Sequence, residues 1–274
     1  MRILIIGCGY IGLPLGQALA GLGHDVHGIR RSKFSAKDIT THALDITQHG
    51  VLDALPNNFD WVINTVSSSR GDLEAHRAVF VDGTRHLLDW LCESSTHLLF
   101  TSSTSVYGQL DGSWVDEQSA TNPSGGTGGH LREAEETLLS APQPATVLRV
   151  AGIYGPERGF LFQQFVKGEA VLSDGGNRWL NMVHRDDVIS AILTAMDLEP
   201  GIYNVADDEP VTQKAFLEWL ANRLGKPMPP DGKTPPRKRA ATSKRVRNAK
   251  LKAAGWTLRF PTFREGYEAL IREE

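Results

Sequence analysis

The chain opens on an unbroken apolar block, Arg2–Ile6 (RILII), stopped by Gly7. A short apolar run bounded by glycine is the pattern of a strand buried on both faces of a parallel sheet. Pro14 to Leu22 then reads as a helix. The apolar block returns at Asp25–Ile29 (DVHGI), Trp61–Thr65 (WVINT), His97–Thr101 (HLLFT) and Thr146–Val150 (TVLRV). Helical stretches lie between them, notably Leu73–Ser94. Buried strands alternating with helices predict an α/β fold on a doubly wound parallel sheet. No internal repeat is visible.

Composition changes this picture little. The 274 residues are 41% hydrophobic and 22% charged, ordinary for a globular chain with a real core. The net charge of −3 gives no general pull toward nucleic acid or anionic membrane. Cys8 and Cys92 lie far apart without a CxxC pair, so neither a disulfide framework nor a metal site is expected, in keeping with a cytoplasmic setting. Ile3 to Gly23 carries no charge, and Ala18-Leu19-Ala20 has the look of a signal-peptidase site. Six glycines and Pro14 interrupt that run, which makes it a poor signal core and a poor membrane helix.

Charge is uneven in the last third. Lys226 to Lys252 holds five prolines and ten Lys/Arg against the single acid Asp231. A solvated loop and a clamp for an anionic substrate both fit this strip, and without interleaved aromatics nucleic-acid binding fits poorly.

The first strand runs into Gly7-Cys8-Gly9-Tyr10-Ile11-Gly12, a GxGxxG loop placed directly before a helix. In that setting Gly7 makes the tight turn, Gly9 lets the backbone approach a pyrophosphate, and Gly12 lets the helix pack close to the strand. The phosphates then meet the free N–H groups and positive end of the helix. A dinucleotide is therefore expected at Gly7, Gly9, Tyr10, Ile11 and Gly12. Gly16 is read as an aid to helix packing, and Cys8 as a small loop residue rather than a reactive thiol.

The second strand ends in Arg30-Arg31-Ser32, where an NAD-binding protein usually places an acid against the ribose 2′-hydroxyl. Guanidinium forks suit a 2′-phosphate, which a carboxylate would repel. NADP(H) is thus the expected cofactor and NAD the alternative, two solvated arginines being the plainer reading.

Phe100-Thr101-Ser102-Ser103-Thr104-Ser105-Val106-Tyr107-Gly108 resembles the extended short-chain dehydrogenase/reductases, the NAD-dependent epimerase/dehydratase family. The resemblance covers nearly the whole chain. It takes in Leu148 to Pro156, Asn181 to Val188, Tyr203 to Ala206 and Leu251 to Trp256, in order. It implies a Rossmann-type domain over residues 1–155 and a substrate lobe over 156–274, part of 181–206 returning to the first. It also implies a small-molecule substrate, sugar-like or a nucleotide sugar, with a homodimer left open. Asp45, Ile46, Thr65, Val66, Ala151 and Ile153 complete the candidate cofactor set, and Ser67, Ser68, Ser103, Tyr154 and Arg158 form the candidate substrate set.

The resemblance further implies a catalytic Ser/Thr with a YxxxK pair, in which the lysine and the nicotinamide charge lower the tyrosine pKa. Ser103 matches the first. Matching Glu136 to the family's helix glutamate places Arg132 at the lysine and Gly128 at the tyrosine. No tyrosine stands between Ser124 and Glu136, and the glycine loop reads GxGxxG where extended members usually show GxxGxxG. Arg132 can hold ribose hydroxyls but cannot relay a proton. Tyr107 and Tyr154 read mainly as shape-giving residues of the cofactor rim, and His184 as a brace between the lobes. His130 lies in the right segment to titrate near neutrality, although an exposed loop histidine is the plainer reading. The glycines at 125, 126, 128 and 129 predict a loosely held segment and an open gap beside the nicotinamide. An NADP-dependent reductase, epimerase or dehydratase and a cofactor-holding sensor or partner-binding module both follow from these residues, the enzyme being favoured.

Overall fold

The computed structural model describes residues 1–68, 72–92, 94–123, 125–232 and 242–273. Seven strands form the central sheet: β1 Arg2–Ile6, β2 Asp25–Arg30, β3 Thr40–Ala43, β4 Trp61–Asn64, β5 His97–Ser103, β6 Ala145–Val150 and β7 Ile202–Val205. Their order is β7-β6-β5-β4-β1-β2-β3 with every pair parallel. Helices on both faces explain the unbroken apolar runs, since Ile3, Leu4, Ile5 and Ile6 have no face left for water. Strand order reverses between β1 and β4, so a crevice opens outside the carboxyl ends of these two strands.

Helix α1 spans Gly12–Gly21 and follows β1 through the glycine loop. The long helical stretch after β4 is broken in register: α2 Leu73–Arg77, a π-turn at Ala78–Asp82 and α3 Gly83–Trp90. Helix α4 runs Gly126–Leu139 and packs along this stretch. Its first turn contains the glycines expected to form a loose segment. Gly126 admits the Leu73 side chain and Gly128 lies against Pro123 and the Ser105 carbonyl, so the missing side chains serve helix packing.

A second apolar cluster gathers the C-terminal elements, with Phe162, Phe165, Phe216, Leu220, Phe263 and Tyr267 at its centre. Described cations of the basic strip bond back to the body of the chain, several of them while still exposed. Lys226 Nζ donates to the Val166 carbonyl, Lys250 Nζ to that of Ile202, and Lys252 pairs with Asp208. Arg245 lies over the rings of Trp114 and Trp179 at 5.0 and 4.9 Å. Lys244 is buried with Nζ donating to the Tyr107 carbonyl, and burial pulls its pKa down to about 8. Residues 233–241 of the strip lie outside the described residues. Among the described residues no helix is long and apolar enough to cross a membrane.

Candidate cofactor and substrate cleft

The turn out of β1 is held from below. The Gly7 and Cys8 N–H groups both donate to the Ile29 carbonyl, at 3.0 and 2.9 Å. Gly7 has φ +100°, and a Cβ there would stand 2.7 Å from the Val66 nitrogen. At Gly12 a Cβ would stand 2.4 Å from the Gly7 carbonyl oxygen and 2.7 Å from Thr65 Oγ1. Both positions demand glycine because other parts of the chain fill the space. Gly9 differs: a Cβ there meets nothing nearer than 3.9 Å, so its open side faces the cleft and is available to a ligand. Cys8 points the other way, into the sheet beside Gly28, where burial raises its thiol pKa to about 12 against the opposing pull of Arg30.

The cleft has a volume of about 640 Å³, within the usual range for small-molecule sites. Gly7, Gly9, Tyr10 and Ile11 line it at the glycine loop, and Gly12 lies beneath them as α1 begins. No side chain caps the first turn of α1; Leu13 N–H donates to the Gly9 carbonyl at 3.0 Å and Pro14 has no N–H, so the helix start offers a ligand chiefly its positive end. Arg30, Arg31 and Ser32 line the β2 end, with Arg30 Nε donating to Ser32 Oγ at 3.0 Å. Asp45 and Ile46 follow β3, where the Asp45 carboxylate accepts from Thr47 N and Oγ1 at 3.1 and 2.9 Å. Thr65, Val66, Ser67 and Ser68 continue the wall beyond β4, and Thr65 Oγ1 donates to the Gly7 carbonyl at 2.9 Å. This loop, helix end and paired arginines fit the phosphates of a dinucleotide.

At the inner end the wall is made by Ser103, Ser105, Thr127, Leu131, Ala151, Ile153 and Arg158, together with His76 and Phe80 from the opposite helices. Ser103 Oγ accepts from the Ser105 N–H at 3.2 Å. Arg158 lies over the Tyr10 ring at 4.9 Å, and Arg185 approaches the same ring at 5.4 Å. Tyr10 donates from its hydroxyl to the Pro156 carbonyl at 3.0 Å, tying the glycine loop to the second half of the chain.

Beneath this end lies a buried ion pair between α4 and β6. Glu135 receives Arg149 Nη2 at 2.7 Å and Nε at 3.0 Å, and the Ser102 hydroxyl also donates to it. Arg149 further donates to the Tyr107 hydroxyl at 3.0 Å, which donates to Asn204 at 2.8 Å. Glu136, the residue matched from sequence, is exposed and pairs only one turn away with Arg132, at 2.7 Å. Arg132 therefore stands on the outer face of α4 with Asn122, Pro123 and Glu133, away from the cleft, and the expectation that it positions a cofactor is corrected. If the buried Glu135 is the glutamate of the family resemblance, the lysine position falls on Leu131 and the tyrosine position on Thr127, both of which line the cleft. The expected gap at Gly128 is corrected as well, because a Cβ there would meet Pro123 Cβ and the Ser105 oxygen at 2.7 Å.

Two further placements differ from expectation. Tyr154 is buried outside the cleft, stacked on Tyr267 with ring centroids 4.3 Å apart, and burial drives its phenol pKa far upward. It packs rather than meeting a substrate. His130 does not line the cleft; its Nδ1 lies 3.3 Å from Nδ1 of His76, which does. His76 escaped notice because nothing local to Leu73–Arg77 signals which residue of the helix faces a cavity. His184 caps the helix Arg185–Ala195, Nδ1 accepting from the Asp186 N–H at 3.2 Å. Burial lowers its pKa to about 4, which keeps the ring neutral for that bond.

Comparison with known proteins gives a consistent picture. The model of the NAD dependent epimerase/dehydratase family matches residues 3–206. Protein YeeZ of Escherichia coli K12 is 28% identical over 238 residues, which cover 82% of this chain and 84% of that protein. A Methylobacillus flagellatus protein assigned to the NAD-dependent epimerases/dehydratases superposes with a TM-score of 0.81 at 32% identity, covering 99% of this chain and 98% of the other. UDP-glucuronic acid 4-epimerase from Bacillus cereus, in complex with UDP-glucuronic acid and NAD, superposes with a TM-score of 0.82 at 20% identity, covering 98% and 97%. At that identity the last likeness shows the fold.

Proposed function

The chain belongs to the NAD dependent epimerase/dehydratase family, and from that membership we propose that it holds NADP(H) and acts as an oxidoreductase, epimerase or dehydratase on a small polar, sugar-like substrate. One observation carries the reading. A single cleft joins a loop and helix end open to phosphates at Gly9 with an inner end lined by the hydroxyls of Ser67, Ser68, Ser103, Ser105 and Thr127 beside Arg158. Hydroxyls recognise a polyol, and a guanidinium suits a phosphate or carboxylate on it. Such a substrate resembles the UDP-glucuronic acid bound by the Bacillus cereus relative.

When bound, the nicotinamide supplies hydride-transfer chemistry. Arg30 and Arg31 stand where they can fork onto a 2′-phosphate, and Asp45 lies further along the same wall. Ser103 is placed to orient a substrate hydroxyl or carbonyl. Fluorescence titration tests the cofactor part: NADPH should bind at least about tenfold tighter than NADH, a difference of roughly 1.4 kcal/mol. Replacing both arginines by alanine should erase that preference and leave NADH almost unchanged. Equal affinities in the wild type would end the NADP reading. A screen of nucleotide sugars for NADP(H)-linked conversion tests the catalytic part.

Thr127 and Leu131 favour a second reading, a cofactor-holding sensor or partner-binding module. Neither side chain can exchange a proton near neutrality, and losing a general acid/base costs about 10²–10⁴ in rate. Tight cofactor binding with no turnover across the screen would select it.

A further inference from the structure

The cleft still contains a group able to move a proton near neutral pH. Among its ionisable lining side chains the arginines stay charged. Tyr10 has its pKa raised by burial and commits its hydroxyl to Pro156. Asp45 lies beyond β3 with its carboxylate held by Thr47. His76 remains. It is buried on α2, packed against Phe80 at 4.5 Å between ring centroids, with Nδ1 3.3 Å from Nδ1 of His130. His130 lies on α4 between Thr127 and Leu131, so the imidazole pair sits beside the two positions that lack the tyrosine and lysine. Two facing Nδ1 atoms at this distance share one proton, one ring donating and the other accepting.

We propose that His76 is the catalytic acid/base of this cleft and that His130 relays its proton to solvent. This rests on the function proposed above. As a substrate O–H bond breaks, its proton bonds to His76, and the proton on His76 Nδ1 passes to His130. His130 releases a proton to water, leaving both rings neutral overall; the reverse order protonates a substrate oxygen. Among the described residues, charges along the same seam include Arg77 next to His76 in the chain, Asp82, Arg85 on α3 and Glu133 on α4, with Arg77 paired to Asp82 at 2.8 Å and Arg85 to Glu133 at 2.8 Å.

The test needs no substrate. NADP⁺ and NADPH differ by one positive charge on the nicotinamide ring, and the proposal requires His76 to lie within about 6 Å of it, where a unit charge moves a titration by about half a pH unit even under aqueous screening. Imidazole titrations of the ¹⁵N-histidine-labelled protein should therefore place His76 at least about half a pH unit lower with NADP⁺ than with NADPH. His130→Gln should shift the His76 ring resonances by removing the partner of its Nδ1, and this variant also assigns the His76 resonance if His76→Asn fails to fold. Identical His76 titrations with the two bound forms would overturn the proposal while leaving cofactor binding intact. Histidine spectra untouched by either cofactor would overturn the function reading, and this inference with it.

Discussion

Two helix starts in this molecule, those of α1 and α4, are rich in glycine, and the contrast between them separates space left open to the cleft from space filled by packing. At the start of α1, Gly7 and Gly12 yield their side-chain space to neighbouring chain, but Gly9 yields its space to the cleft. At the start of α4, Gly126 yields to Leu73 and Gly128 to Pro123 and Ser105, and none of that space reaches a ligand. A bare glycine count makes the two segments look alike. One opens on the cleft and the other is a packing joint. The glycine loop thus keeps two glycines that the neighbouring chain demands, at 7 and 12, and one at 9 that opens on the cleft. At the inner end Thr127 and Leu131 face the cavity, with His76 lining the same cavity and its Nδ1 3.3 Å from that of His130.

The sharpest way to test this contrast is to rebuild the inner end in the register that the ion pair defines. Thr127→Tyr with Leu131→Lys should raise conversion of a nucleotide sugar by about 10²–10⁴, the usual worth of a general acid/base. Gly128→Tyr with Arg132→Lys, one residue later, should give no gain and should lower stability by about 1–3 kcal/mol through overpacking against Pro123. Single-turnover assays and urea midpoints on the two double variants decide between the registers. A wild type already fast, with no gain from the first change, would leave the proton with His76 and His130.

The register itself rests on Glu135. Removing its carboxylate by Glu135→Ala leaves Arg149 buried without an opposite charge, only the Tyr107 hydroxyl remaining to it, a loss of about 3–5 kcal/mol. Glu136→Ala removes only an exposed pair one turn apart, worth about 0.5 kcal/mol or less. Chemical denaturation of the two variants should differ accordingly, and equal losses would undo the assignment of Thr127 and Leu131.

The glycine cradle predicts a different kind of effect. Gly9→Val should weaken NADPH and NADH alike by at least about a hundredfold, roughly 2.7 kcal/mol, by occupying ligand space. Its thermal midpoint without cofactor should stay close to that of the wild type, because a Cβ at Gly9 meets nothing nearer than 3.9 Å. Retained binding would show that no ligand approaches the loop there.

How far the sequence carried follows the same division. The strands and the glycine loop were legible because their causes are local: apolar runs need two covered faces, and GxGxxG sits between a strand and a helix. β3 (Thr40–Ala43) and β7 (Ile202–Val205) were not read as strands, since neither has a clear apolar run; β3 has no fully buried residue at all. The choice between Glu135 and Glu136 could not be made locally either. It is decided by Arg149 and Ser102, which come from two other strands, and neighbouring glutamates on a helix look alike until such a partner is known. His76 was invisible for a related reason: its meaning depends on His130, 54 residues away.

The smallest effect concerns the protein side of the glycine loop. Cys8 lies between Gly7 and Gly9 yet faces the sheet, where burial lifts its thiol from its ordinary 9.0 to about 12. The raised value means that the folded chain keeps the neutral thiol, so this group favours folding fully below pH 9.0 and progressively less up to about 12. At pH 8 a thiolate-selective reagent should therefore titrate one cysteine per native chain, the exposed Cys92, and two after unfolding. Saturating NADPH should leave that count and the labelling rate unchanged, because the ligand meets the face that Gly9 presents. Native labelling of Cys8, slowed by NADPH, would mean that the loop turns its thiol to the cleft and that its two faces are not divided as described.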